Sequence, residues 1–275
     1  MTYNALPGLK ATDFEHSGEK AAMAVLRKIP LLDIVVAKYL DINVQMSLFA
    51  EATGNYFRIT EKTNPRVYNL YKLALKRLDM PAEYPLFSKL GYDYNAYTAG
   101  VDEPFVVLHS SMIANCSDEE LLYVIGHELG HVKCGHTLYY NMASQLNSLL
   151  ATMGGVATAA AVGLQYAIMD WHRKAEFSAD RAGLIAAGGI DGAYGGVLKL
   201  LGHTPNIPDV DFSIDKVLKQ LSDFEAQTDD LVGKLLYVSY TAQASHPWSI
   251  LRLKEIKQWY DAGEYEKVVS TVQER

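Results

Sequence analysis

The amino-acid sequence predicts an α+β fold that is mainly helical, with a small sheet placed just ahead of one central helix. Three observations carry that expectation. A Ser-x-x-Glu capping box at Ser117 opens a long apolar helix, short β-type runs bounded by turn residues precede it, and helical spacing returns in most other segments. At 275 residues the chain makes one large domain or a core with appendages, and 49% apolar residues allow a sizeable core.

Taken in order, residues 1–13 are expected to form a poorly fixed leader. Phe14 to Tyr39 carries helical spacing broken at Pro30, which lacks the N–H a helix interior needs. The apolar positions from Val35 to Met46 fit a continued helix or a short strand equally. Asn64-Pro65 is a cap followed by proline at the first helical position, so a helix should run to about Leu78 and end before Pro81 and Pro85. Two strands are expected at 95–99 and 104–108, and the proline leading the second suits an edge strand or a strand's first residue. His109 to Cys116 reads as a short helical link.

After the central helix, Leu146 to Met169 holds no charged residue. Its expected form is two helical segments bent near Gly154-Gly155, packed on the core or resting on a membrane surface, with a full span as the other option. Asp170 to Ala187 should be a second marked helix, closed by Gly188-Gly189. Residues 190–212, rich in Gly and Pro, read as loop. One or two amphipathic helices are expected in 213–240, another starts at Ser245-His246-Pro247 and carries Arg252, and a last short one covers Glu264 to Val272. The division expected is a helical extension over 1–64 and one domain over 65–275.

Net charge is −7 with no basic run, which argues against nucleic acid as a partner. Cys116 and Cys134 flank the central helix, too far apart to pair, so no disulfide framework is expected and a reducing compartment fits. Met1 to Lys28 has no apolar core of a secretory signal and carries Asp13, Glu15 and Glu19. The expectation is a cytoplasmic protein, with peripheral membrane contact through 146–169 as a second option.

The chemistry concentrates at His127-Glu128-Leu129-Gly130-His131, at the far end of the helix that Ser117 opens. His127 and His131 are one turn apart on one face, so two imidazoles can reach one metal ion. Glu128 is offset by about 100° and can hold a water and take its proton, the arrangement of metal-assisted hydrolysis. A solvated helix face would carry charged neighbours, but those around this motif are apolar or small. A hydrolytic zinc site needs a third protein ligand. Glu176 can supply it, and Asp180, four residues on, can accept a hydrogen bond from a liganding imidazole. Ala175, Ala179, Ala182 and Ala186 would let the two helices approach closely. The bland alternative pairs Glu176 and Asp180 with Arg173 or Arg181 on a wet face.

With these motifs in this order, the chain resembles peptidase family M48, whose pattern is His-Glu-x-x-His followed by Glu-x-x-x-Asp. Asn95-Ala96-Tyr97 and His246-Pro247 with Arg252 match two further motifs of that family, and the resemblance covers roughly residues 65–260. It implies a gluzincin fold with one Zn2+ on His127, His131 and Glu176, Glu128 as general base and Asp180 behind a ligand. It also implies an extended polypeptide substrate paired along Asn95, Ala96 and Tyr97, with His246 and Arg252 near the cleft to steady the oxyanion. Hydrolysis of unfolded or damaged proteins is the function expected. The rival readings are a latent or non-cleaving zinc-stabilised binding module, and a membrane-associated protease of membrane proteins.

Overall fold

A computed structural model describes residues 5–29, 32, 36, 42–139, 158–203, 213–227 and 248–275. The helices α1 (Ala11–Phe14), α2 (Ser17–Leu26) and α3 (Ile42–Asn55) lead to strand β1 (Phe57–Arg58) and helix α4 (Pro65–Arg77). Strands β2 (Leu86–Lys89), β3 (Ala96–Ala99) and β4 (Phe105–His109) come next, then α5 (Ser110–Asn115) and α6 (Asp118–Lys133). The long α7 (Thr158–Ala187) is followed by α8 (Ile190–Leu200), α9 (Ile214–Gln227), α10 (Ser249–Asp261) and α11 (Glu264–Gln273). The fold is mainly helical with one small sheet ahead of α6, as the sequence predicts.

The sheet order is β1-β2-β4-β3, with β2 and β4 parallel and the other two pairs antiparallel. Every residue of β4 is buried, because the strand has helices on both faces. Val106 and Leu108 join the main core, while Phe105 and Val107 pack with Phe87, Ala99 and Ala52 beneath α3. This puts β4 in the sheet's interior rather than at an edge. Pro104 stands just before the strand, so no ladder N–H is lost.

Local signals account for the main helix ends. Ser117 Oγ accepts from the Glu120 N–H at 3.2 Å, and Glu120 Oε2 accepts from the Ser117 N–H at 2.8 Å. Asn64 Oδ1 accepts from the Val67 N–H ahead of Pro65. At its other end α4 presents Arg77, whose guanidinium donates to the carbonyls of Ala186 and Ala187 and satisfies the C-terminus of α7. The ambiguous run resolves to helix over Ile42–Met46, within α3; Val35 to Leu40 falls largely outside the described residues.

Three expectations change. Residues 5–13 are fastened rather than loose: Leu6 and Leu9 are buried in the main core, Gly8 N–H donates to Asp79, and Arg275 grips both oxygens of Asp13. Residues 190–200 form helix α8 despite their glycines. A Cβ on Gly192 would lie 2.6 Å from the Glu119 carbonyl oxygen, and one on Gly196 2.6 Å from the Tyr123 ring. Close packing on α6 therefore outweighs the low helix propensity of glycine. Finally, α7 starts at Thr158, so the end of the uncharged stretch and the Asp170–Ala187 helix are one continuous element. Gly154-Gly155 lies outside the described residues. Among those described, no helix is long and apolar enough to cross a membrane.

Candidate metal centre

The site is made where α6 and α7 cross at close range. A Cβ on Gly126 would sit 2.2 Å from the Ala186 Cβ, and one on Gly130 would sit 2.6 Å from the Ala182 Cβ. These positions accept only hydrogen, and the alanines of α7 complete the seam. The backbones come close enough for short side chains to span them. His127 and His131 from α6 and Glu176 from α7 are all buried, and one ligand atom from each lies within 4.8 Å of the others.

The distances suit a divalent cation. The two imidazole Nε2 atoms are 3.2 Å apart; Glu176 Oε1 is 3.2 Å from His131 Nε2, and Oε2 is 3.5 Å from His127 Nε2. A tetrahedron with metal–ligand bonds of about 2.0–2.1 Å has edges of roughly 3.3 Å. Two nitrogens and a carboxylate, with no sulfur, are also the donor set of a hydrolytic zinc site. Cys134, which ends α6, is not in the cluster.

Each imidazole is oriented from behind. His127 Nδ1 lies 2.9 Å from Asp180 Oδ1. Asp180 is itself fixed by the Tyr123 hydroxyl at 2.6 Å and by Arg252, through Nε at 3.0 Å and Nη2 at 2.6 Å. Arg252 Nη2 also lies 3.2 Å from His127 Nδ1. The ionised Asp180 carboxylate only accepts, so an imidazole proton belongs on Nδ1, facing Asp180, and Nε2 is the atom turned to the site. Burial alone would raise the Asp180 pKa, but Arg252 and His127 hold it at about 2. On His131 burial prevails and lowers the pKa to about 3, which keeps that imidazole neutral. Its Nδ1 is 3.0 Å from His136 Nδ1.

Glu128 lines an open cleft of about 270 Å³ together with His127, Glu176, Arg252, Asn95 and Ala96. Thr98 Oγ1 lies 2.9 Å from Glu128 Oε2 and 3.0 Å from the Glu128 carbonyl oxygen, so one hydroxyl ties the carboxylate to strand β3. That strand pairs with β4 on one side, and among the described residues no strand pairs with its other side. Strand alternation turns Ala96 and Thr98 toward α6, while Tyr97 packs on the α3 side with its hydroxyl 3.2 Å from that of Tyr56.

The candidates thus assemble as follows. His127, His131, Glu176, Glu128, Asp180 and Arg252 come together; Asn95 and Ala96 border the cleft; the Tyr97 side chain faces away from it. His246 lies outside the described residues. His16 caps α2, accepting from the Gly18 N–H, and His109 meets Asp93. His172 is one turn before Glu176, with Nε2 3.6 Å from Glu176 Oε1. The sequence pattern assigns no role to Thr98, Gly126 or Gly130. Thr98 was findable, since in a strand it shares a face with Ala96.

The model of peptidase family M48 matches residues 61–260. Across 263 residues the chain is 29% identical to the plastoglobule-localized metallopeptidase 48, chloroplastic, of Arabidopsis thaliana, covering 95% of this chain and 76% of that protein. A stretch of 35 residues is 57% identical to the CAAX prenyl protease 1 homolog of Homo sapiens, and equally to that of Mus musculus, covering 13% of this chain and 7% of each relative.

Proposed function

Because the chain belongs to peptidase family M48, we propose that it is a zinc-dependent endopeptidase that hydrolyses peptide bonds in unfolded or damaged proteins. The observation that supports this most is the meeting of His127, His131 and Glu176 beside a general-base candidate, Glu128, in a cleft bordered by a strand edge. A bound zinc ion would supply Lewis acidity, bringing the pKa of a water toward about 7 and polarising the scissile carbonyl.

The chain's own residues do the rest. The outer edge of β3, at Asn95, Ala96 and Tyr97, offers backbone donors and acceptors to an extended peptide, so recognition is of main chain more than of one side chain. This suits unfolded polypeptides. Glu128, held by Thr98, takes a proton from the attacking water and passes it to the leaving amine. Asp180 fixes the His127 tautomer. Arg252 also lines the cleft, and its charge, anchored on Asp180, steadies the oxyanion together with His246.

The domain assignment that goes with this reading is a peptidase domain over 65–275 and a helical extension over 1–64. The location that goes with it is cytoplasmic, with peripheral membrane contact through 146–169 as the second option. Co-sedimentation with lipid vesicles tests that contact, and a chain that stays in the supernatant counts against it.

The decisive experiment compares wild type with Glu128→Gln on unfolded casein, each with its zinc content measured. Equal zinc, about one per chain, with hydrolysis reduced by roughly 10²–10⁴-fold in the variant, is expected. Full proteolysis by Glu128→Gln would overturn the mechanism.

A further inference from the structure

The two imidazole ligands are backed differently, and the backing of His131 leads out of the matched family region. From His131 Nδ1 the contacts pass to His136 Nδ1 at 3.0 Å, and from His136 Nε2 to Glu19 Oε1 at 2.9 Å. His131, His136 and Glu19 are all buried. The other Glu19 oxygen, Oε2, accepts from the Ser178 hydroxyl, on α7 between Glu176 and Asp180. Ser178 Oγ in turn accepts from the backbone N–H of His16 at 2.9 Å. One carboxylate on α2 therefore reaches both ligand-bearing segments.

The direction of the hydrogen bonds follows from what each group can do. An ionised carboxylate only accepts, so the His136 proton sits on Nε2, toward Glu19. To ligate through Nε2, His131 must carry its proton on Nδ1, so in the short contact His131 Nδ1 donates and His136 Nδ1 accepts. His131 is left with its Nε2 lone pair facing His127 and Glu176. Without Glu19 the His136 proton has no fixed side, and neither has the proton of His131.

We infer that Glu19 is a positioning residue of the metal centre, acting through His136 to fix the tautomer and ring orientation of His131. The N-terminal helix α2 is thereby part of the metal site, although the family match begins at residue 61. This rests on the metal-site reading above and adds a regulatory consequence: displacing α2 releases the support of one ligand without touching the cleft.

The test is zinc affinity, measured on full-length protein by competition with a chromophoric chelator, together with the visible spectrum of the cobalt(II)-substituted form. Glu19→Ala should bind zinc about 10–100-fold more weakly, the usual effect of removing the partner of a liganding histidine. Glu19→Gln keeps a carbonyl oxygen for His136 and should fall between Glu19→Ala and wild type. The cobalt bands should shift in the same order. Asp13→Asn, which loosens the N-terminal segment away from this relay, serves as the control for mere destabilisation and should leave zinc affinity within about twofold of wild type. If Glu19→Ala does not fold, the Gln variant decides: several-fold weaker zinc binding supports the inference. Wild-type affinity and an unchanged cobalt spectrum in Glu19→Gln and Glu19→Ala would overturn it while leaving the metal site standing. A wild-type chain that binds no zinc would remove both.

Discussion

His127 and His131 sit one turn apart on the same helix, yet they are held by unlike means. His127 leans directly on Asp180, and Asp180 is locked by Tyr123 and Arg252, all within residues 61–260. His131 leans on another imidazole, His136, which leans on Glu19 from α2. The first support is short, charged and closed by a buried ion pair. The second is longer and reaches an element far away in sequence. A ligand imidazole needs only an acceptor behind Nδ1–H, and quite different parts of a chain can supply it.

Substitutions can break that contrast. Asp180→Ala should have the largest effect. It removes the acceptor behind His127 and strands the Arg252 charge in the interior, which costs about 3–5 kcal/mol when a buried pair is broken. Thermal unfolding should register a large loss, and zinc affinity should fall further than in any Glu19 variant. Equal effects at Asp180 and Glu19 would erase the distinction between short and long support.

Gly126→Ala comes next, because it acts on both candidate ligands, His127 and His131, at once. The new methyl would lie 2.2 Å from the Ala186 Cβ, so α6 and α7 must separate. Overpacking of this kind costs about 1–3 kcal/mol, and zinc retention after dialysis should drop with it. Unchanged stability and zinc content would mean that the helix seam does not set the site.

Thr98→Val sharpens the contrast by touching neither imidazole. It should lower kcat by about tenfold while zinc content stays at wild type, and Thr98→Ser should recover most of the rate. A loss of zinc in Thr98→Val would show that the strand supports the metal ligands instead of the base.

The smallest effect is expected at Asp13. The Arg275 guanidinium, bonded to its carboxylate, holds the Asp13 pKa below 3.8 against a smaller opposing effect of burial. A depressed carboxyl pKa contributes stability that is complete above the ordinary value and is lost as pH falls through the lowered one. Asp13→Asn should therefore lower Tm by about 1 °C near neutral pH, and the difference should close below about pH 3.8. A difference that persists in acid would point to packing rather than charge.

The contrast also explains what was legible in the sequence. The support of His127 follows from a four-residue spacing on one helix, Glu176 to Asp180, and spacing is what a sequence displays. The ligand pair and Ser117 cap are local patterns of the same kind. Glu19 carries no such mark, since its partner lies 117 residues away and only tertiary packing unites them. Helix α8, where the sequence predicts loop, is hidden for a related reason. Its glycines look like loop residues until Glu119 and Tyr123 of α6 are seen against them. The fastening of residues 5–13 depends on Asp79 and Arg275, equally remote partners.

Crystals of the zinc-loaded wild-type protein, measured on either side of the zinc absorption edge, test the central claim most directly. The account predicts one anomalous peak per chain, about 2.0–2.2 Å from His127 Nε2, His131 Nε2 and a carboxylate oxygen of Glu176. A peak bound elsewhere, or Glu176 turned away from an ion held by the two histidines alone, would contradict it.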